Sequence, residues 1–212
     1  WILSFHRDQG DGQLSPANQQ LLQMLRADSE MQQILDHLLT LWRFDGLIHR
    51  DLKWNNILLV RSNSESGSPD RNDSDSPALS VRILDWELAD LGDWCWDAGM
   101  MLQNWYSFEA LAASEDSPVD AEAFLENNQS GLSAAHPAAK AFWDHWISCV
   151  DIPARADAPF VEKCVLYAAA RMLQTTYELL HPATEITQRE IRLFRLCQYL
   201  LKRPKIVKTW LS

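Results

Sequence analysis

The chain has 212 residues, 47% apolar and 23% charged, enough to bury one core and too apolar for disorder along its whole length. A formal charge of −10 argues against nucleic acid or an anionic membrane surface as the main partner. Only 7 residues are glycine, about half the usual share of roughly 7%. No G-x-G-x-x-G or G-x-x-x-x-G-K occurs, so this sequence holds no self-contained phosphate-cradling glycine loop. Ten tryptophans point to a well-packed globule with aromatic anchors.

Charge is unevenly spread. Six acids and no bases lie between Glu109 and Glu126, whereas seven bases face the single acid Glu190 between Arg189 and Lys208. A solvated acidic linker and a basic last helix account for both, although the acidic stretch also suits a site for cationic amines. The four cysteines, Cys95, Cys149, Cys164 and Cys197, have no C-x-x-C and no histidine at zinc spacing, and read as buried free thiols in a reducing compartment. With no signal peptide and no apolar run of roughly 18 residues, a cytoplasmic location is expected. The chain opens at Trp1 without an initiator Met and is read as a piece of a longer product.

In chain order, Trp1 to Phe5 has strand character and is followed by a polar turn from His6 to Gly12. Ser15-Pro16 supplies an N-cap and a first-turn proline for a helix whose apolar face is Leu21, Leu22 and Leu25. A second helix is predicted from Asp28-Ser29 to about Phe44, ended by Gly46, with a stripe of Met31, Ile34, Leu35, Leu38, Leu39 and Trp42. Ile57 to Val60 reads as a buried strand and Leu79 to Leu84 as another, joined through 61–78, a polar run without a large apolar side chain that reads as a disordered insertion. Helices are predicted near 96–112, 137–150, 159–180 and 187–202, with a loop around 114–135.

The two strands form an antiparallel hairpin, so the residue before the first and the residue after the second meet at its mouth. These are Asn56 and Asp85, an amide oxygen and a carboxylate suited to Mg²⁺, which takes a few protein oxygens together with phosphate and water. Asp51 lies five residues before Asn56 on an irregular segment, where it can face the same mouth and orient an attacking hydroxyl. Lys53 adds a compact positive charge suited to phosphate oxygens.

His49-Arg50-Asp51-Leu52-Lys53-Trp54-Asn55-Asn56 resembles the catalytic loop of the protein-kinase-like superfamily, and Ile83-Leu84-Asp85-Trp86-Glu87 resembles its metal-binding segment. The D-W-E form, with Gly92-Asp93-Trp94-Cys95-Trp96-Asp97, is closer to the aminoglycoside phosphotransferase branch, whereas Arg50 and Lys53 are protein-kinase choices. The resemblance is close over about residues 47–100. It implies a mainly α fold: a kinase-like C-terminal lobe, a helical bundle with a small antiparallel hairpin carrying the catalytic and metal residues.

By the same resemblance, Asp51 is the catalytic base, Asn56 and Asp85 are Mg²⁺ ligands, Lys53 contacts phosphate, and His49 and Asp97 support the loop. Glu87 is either a partner of those residues or a surface acid, and Trp86, Trp94 and Trp96 are read as core. The implied activity is Mg²⁺- and ATP-dependent transfer of the γ-phosphoryl group to a hydroxyl of a small molecule or peptide. No Ser, Thr or Tyr occurs between Asp85 and Tyr106 and no A-P-E follows, so a phosphorylation-switched activation loop is not expected.

Nothing before Leu47 can be the small sheet that carries a glycine loop and paired lysine in such kinases. Residues 1–12 are therefore read as a hinge to an N-terminal lobe, in the same longer chain or a partner, and 13–212 as the C-terminal lobe. The competing reading is an inactive kinase-like docking module, for which Arg189, Arg192 and Arg195, recurring every third residue, offer one positive helix face.

Overall fold

A computed structural model describes residues 2–7, 14–61, 79–149 and 158–207. Among them seven α-helices surround two small antiparallel pairs of strands. The first helix, α1 (Pro16–Arg26), starts as its sequence predicts: the Ser15 hydroxyl accepts from Asn18 N at 3.1 Å, and Leu21, Leu22 and Leu25 are buried. Helix α2 (Ser29–Thr40) is capped by Asp28 and buries Met31, Leu35 and Leu38. It stops short of Phe44, which is exposed, and Gly46 does not end it. Gly46 instead begins β1 (Gly46–Ile48), where a Cβ would press on the Trp94 ring.

Residues 2–7 correct another expectation. Ile2–Arg7 forms a 3-10 helix rather than a strand, because Ile2, Leu3, Phe5 and His6 have helical spacing and bury together against α1, α2 and a later helix. Trp1, residues 8–13 and the insertion at 62–78 lie outside the described residues.

The hairpin is present as β2 (Ile57–Arg61) and β3 (Leu79–Ile83), antiparallel with Ile57 opposite Ile83. The burial expected of its first strand is not found: Leu58 and Leu59 are 46% and 66% exposed, and Leu79 and Val81 across the hairpin are 63% exposed. A run of β-branched and leucine residues specifies a strand, but not what covers it. The second pair had no recognisable signal. Strand β1 pairs with β4 (Asp90–Gly92), only three residues long, with Leu47 opposite Leu91.

Helix α3 (Trp94–Ala112) is the centre of the molecule and is buried on nearly all sides. It packs most extensively on α6 (Ala158–Leu180), and Gly99 permits that approach: a Cβ there would lie 2.7 Å from Ala168 N and 2.8 Å from Cys164 O. Trp42, Trp96 and Tyr167 meet edge-on with ring centroids 5.6–5.8 Å apart, joining the segment after α2 to α3 and α6. Trp96 is thus core, as expected, and Trp94 is partly buried, whereas Trp86 is 48% exposed. Cys95, Cys164 and Cys197 are buried free thiols, but Cys149 is exposed.

The predicted loop at 114–135 is largely helical. It contains α4 (Ala121–Asn127), capped by Asp120, and the start of α5 (Gln129–Cys149), which carries Pro137 within it. The last helix, α7 (Gln188–Lys202), does not present its arginines as one basic face. Arg192 is fully buried and donates to five carbonyls, those of Ala110, Ala113, Ser114, Ser117 and Pro118, at 2.8–3.4 Å. It satisfies the open end of α3 and the turn after it, which helix geometry leaves without donors. Among the described residues, no helix is long and apolar enough to cross a membrane.

Arg192→Met keeps the apolar stem but orphans these carbonyls, and is expected to cost about 3 kcal/mol, read as a lower urea midpoint. A second prediction concerns Lys202, which joins α7 to the α2 cap at 2.7 Å from Asp28. Burial opposes ionisation of Asp28, but hydrogen bonds from Lys202, the Met31 backbone and Gln198 outweigh it and hold its carboxyl below the ordinary range. The hydrogen bond from Lys202 to Asp28 holds the amine above its own. The Asp28 contribution is therefore present at neutral pH and lost as pH falls below roughly 4, and the Lys202 contribution is lost above roughly 10.4. Lys202→Met should lower stability by about 0.5–1 kcal/mol at pH 7 and by much less at pH 3.

Candidate functional site

The segment between β1 and β2 is the loop picked out by the sequence, and each of its turns has a visible cause. Arg50 has φ 68°, a left-handed conformation that costs a non-glycine residue about 1 kcal/mol or more. The Asp97 side chain, in the first turn of α3, offsets that cost: Oδ2 accepts His49 N at 2.6 Å and Oδ1 accepts Arg50 N at 3.0 Å. Burial pushes the Asp97 carboxyl above its ordinary range, against the pull of these two backbone donors. Trp96 Nε1 also donates to Arg50 O at 3.4 Å.

His49, 2% exposed, ties this loop to the end of the hairpin. Its Nε2 lies 2.7 Å from Leu84 O while Asp51 N donates to Nδ1 at 3.3 Å, which assigns the ring proton to Nε2. Leu84 N in turn donates to Asn56 O at 2.8 Å, continuing the ladder one step beyond Ile57 and Ile83. The loop, the hairpin mouth and the residue before Asp85 therefore form one hydrogen-bonded unit. Trp86, expected in the core, instead covers the His49 ring at a centroid distance of 4.8 Å and donates to Ile83 O.

The remaining side chains sit around that unit. Asn56 is buried and gives both amide hydrogens to Asp51, one to the carbonyl at 2.8 Å and one to Oδ2 at 3.2 Å. Its amide oxygen accepts nothing among the described residues and is free for another donor or an ion. Asp85, with φ 63°, is exposed and its carboxylate has no partner among the described residues. An amide oxygen and a carboxylate, both uncommitted, fit Mg²⁺ sharing its coordination with phosphate and water. Among the described residues no group of three or more His, Cys, Asp or Glu side chains is gathered to hold a metal by itself.

Lys53 does not stand alone in the site but pairs with Asp51 Oδ2 at 2.6 Å. Glu87 is exposed on the short 3-10 turn Trp86–Leu88 and makes no contact with this group.

Two charged residues escaped the sequence reading. Arg171, 1% exposed on α6, reaches Asp51 Oδ1 at 3.2 Å, 120 positions away in sequence. Asp93 is completely buried, caps α3 through Cys95 N, accepts Arg43 N and pairs with Lys163. The only trace of Arg171 in the sequence is a lone arginine in the Ala-rich apolar face of a helix; Asp93 was visible as part of the Gly-Asp-Trp motif, but not as a buried anchor. No protein-family model matches the chain, and no curated protein matches it.

Asp97→Ala leaves two backbone donors unpaired beside a strained residue and is expected to cost about 2–3 kcal/mol. Amide exchange at His49 and Arg50 should accelerate more than that of the α6 core, and Asp97→Asn, which keeps one acceptor oxygen, should restore part of the protection.

Proposed function

We propose that the chain is the catalytic and metal-binding lobe of a Mg²⁺- and ATP-dependent phosphotransferase that acts on a hydroxyl group, of the kinase-like type that its sequence resembles. The observation that carries this reading is the shared mouth of Asp51, Asn56 and Asp85. Backbone hydrogen bonds tie together the segments that carry these residues, Lys53 and Arg171 orient the Asp51 carboxylate, and Asn56 and Asp85 keep side-chain oxygens uncommitted among the described residues.

In this reading, Asp51 accepts the proton of the acceptor hydroxyl as that oxygen bonds to the γ-phosphorus; the bond from γ-phosphorus to the bridging oxygen breaks, and ADP leaves with the electron pair. Lys53 and Arg171 fix the Asp51 carboxylate from two sides, and Asn56 fixes it from a third. Lys53, 38% exposed along its side chain, also remains within reach of phosphate oxygens. Asn56 and Asp85 would hold Mg²⁺, which supplies charge neutralisation on the phosphate oxygens when bound. His49, Asp97 and Trp86 act on the loop and not on the reactants.

The uncovered face of the hairpin supports a second, nucleotide-covering lobe. On one face of the hairpin Leu59 lies opposite Val81, with Leu79 and Ile83 two positions to either side of Val81, and all four are exposed, more apolar surface than isolated surface leucines explain.

In the natural protein that carries this chain, Asp51→Asn should lower phosphoryl transfer from Mg²⁺-ATP roughly 10²–10⁴-fold. It should retain the rise in melting temperature that Mg²⁺-ATP produces, whereas Asp85→Asn should lose it. Equal turnover in wild type and Asp51→Asn would remove Asp51 from the chemistry. A wild-type protein with neither turnover nor a nucleotide-induced shift would be the docking module instead.

A further inference from the structure

Beside the catalytic loop lies a recess of about 270 Å³, walled by Lys53, Trp54 and Asn55 of that loop, by α3 and by α6. Lys53 and Arg171, which both line it, are the two cations bonded to Asp51, so the recess adjoins the carboxylate that would orient an acceptor. We propose that this recess is the acceptor subsite, and that it takes a neutral, polyhydroxylated small molecule such as a single sugar or cyclitol ring. The proposal rests on the phosphotransferase reading and names its substrate class.

Charge is the first reason. Lys53 and Arg171 contribute two positive charges, and Asp51 and Glu178 two negative ones, and all four are spent on one another. Lys53 pairs with Asp51, and Arg171 bridges Asp51 and Glu178, the latter at 2.9 Å. Gln174 donates a further hydrogen bond to Glu178 at 2.9 Å. None of the six acids between Glu109 and Glu126 lines the recess. A cationic amine finds no unpaired carboxylate here; of the two cations, Arg171 is committed to Asp51 and Glu178, and Lys53, paired with Asp51, is the one within reach of the transferred phosphate. An ionic acceptor would have to break an existing pair to bind, whereas a neutral one would not.

The second reason is the set of neutral polar groups. Helix α3 is otherwise apolar where it is buried, yet Gln103, Asn104 and Ser107 lie side by side at 3–5% exposure. Ser107 Oγ donates to Gln103 Oε1 at 2.7 Å, Gln103 Nε2 to Asn104 Oδ1 at 2.9 Å, and Asn104 Nδ2 to Leu52 O of the catalytic loop at 3.3 Å. The chain of bonds orients these groups but does not exhaust them. Gln103 keeps a second amide hydrogen and Ser107 keeps its lone pairs. The Thr175 hydroxyl makes no hydrogen bond among the described residues, and the buried Arg171 Nε has no partner. Buried polar groups on an apolar helix cost stability unless something satisfies them. Hydroxyl groups, each both donor and acceptor, match this set.

Size and shape agree. The volume lies just under the roughly 300–1,000 Å³ of common small-molecule sites, enough for one ring. Trp54 and Phe108, 44% and 61% exposed at its edge, provide apolar surface for the C–H faces of such a ring.

The test uses the natural protein with Mg²⁺-ATP and three acceptor sets at equal concentration: neutral polyols (glycerol, myo-inositol, a pentose and a hexose), polyamines and amino sugars, and serine-containing peptides. ADP formation should rise about tenfold or more with a neutral polyol and with neither charged amines nor peptides. Thr175→Val and Phe108→Ala should each raise the polyol KM about tenfold, the equivalent of one lost hydrogen bond or apolar contact, while the nucleotide-induced melting shift shows that both variants are folded. Saturation-transfer NMR without nucleotide should detect the same polyol on wild type and lose it on both variants. Preference for amines or peptides, or polyol binding indifferent to both substitutions, would overturn the proposal. Polyol binding that both substitutions abolish, with no phosphoryl transfer to any acceptor, would instead sink the phosphotransferase reading and leave the recess as a polyol site.

Discussion

Two hydrogen bonds from the backbone of His49 and Arg50 to the Asp97 carboxylate fix the rest of the site. They join a loop that would otherwise relax, since Arg50 sits in a left-handed conformation, to the first turn of the most deeply buried helix in the molecule. Hydrogen bonds to a charged acceptor contribute about 1.5–3 kcal/mol each, more than the strain at one residue. With Arg50 held, His49 meets Leu84, Leu84 meets Asn56, and Asn56 holds Asp51. Pairwise bonds thus carry position from α3 to the hairpin mouth, with left-handed backbone at Arg50, where they begin, and at Asp85, just beyond where they end.

The molecule treats its two sides differently. On the helical side, two charged groups that enter the core are fully matched: Arg192 serves five carbonyls, and Asp93 meets Lys163, Arg43 N and the start of α3. On the hairpin side, Leu58, Leu59, Leu79 and Val81 are exposed among the described residues. Since apolar burial is the main stabilising contribution to folding, the helical side accounts for the stability of the chain. A net charge of −10 reveals none of this, because the four charges around Asp51 cancel locally.

Local chemistry made much of the fold readable. Ser15-Pro16, the Met31, Leu35 and Leu38 stripe, and the alternation of short strands with a polar run are short-range signals, and the helices near 96–112, 159–180 and 187–202 and the hairpin are where they indicate. Where reading failed, the competing interaction was distant. The opening residues are a 3-10 helix because α1, α2 and α6 offer a surface to their apolar face. Arg192 looked like one of three surface arginines because the carbonyls it serves are more than 70 positions away. Strands β1 and β4 are three residues each, too short for any periodicity to register.

The sequence by itself determined the identity and order of the candidate groups, Asp51, Lys53, Asn56 and Asp85, because they lie on two segments joined by a hairpin whose antiparallel return is a local property. It also determined that no glycine cradle accompanies them. Only the tertiary structure decided what surrounds them: that Arg171 from α6 shares Asp51 with Lys53, that Trp86 lies over His49 rather than in the core, and that the neighbouring recess is lined with amides and hydroxyls beside charges that are already paired. The contacts of Arg171 with Asp51 and of Trp86 with His49 join residues 120 and 37 positions apart, and they follow from how the segments pack around α3, which no pattern within a single segment records.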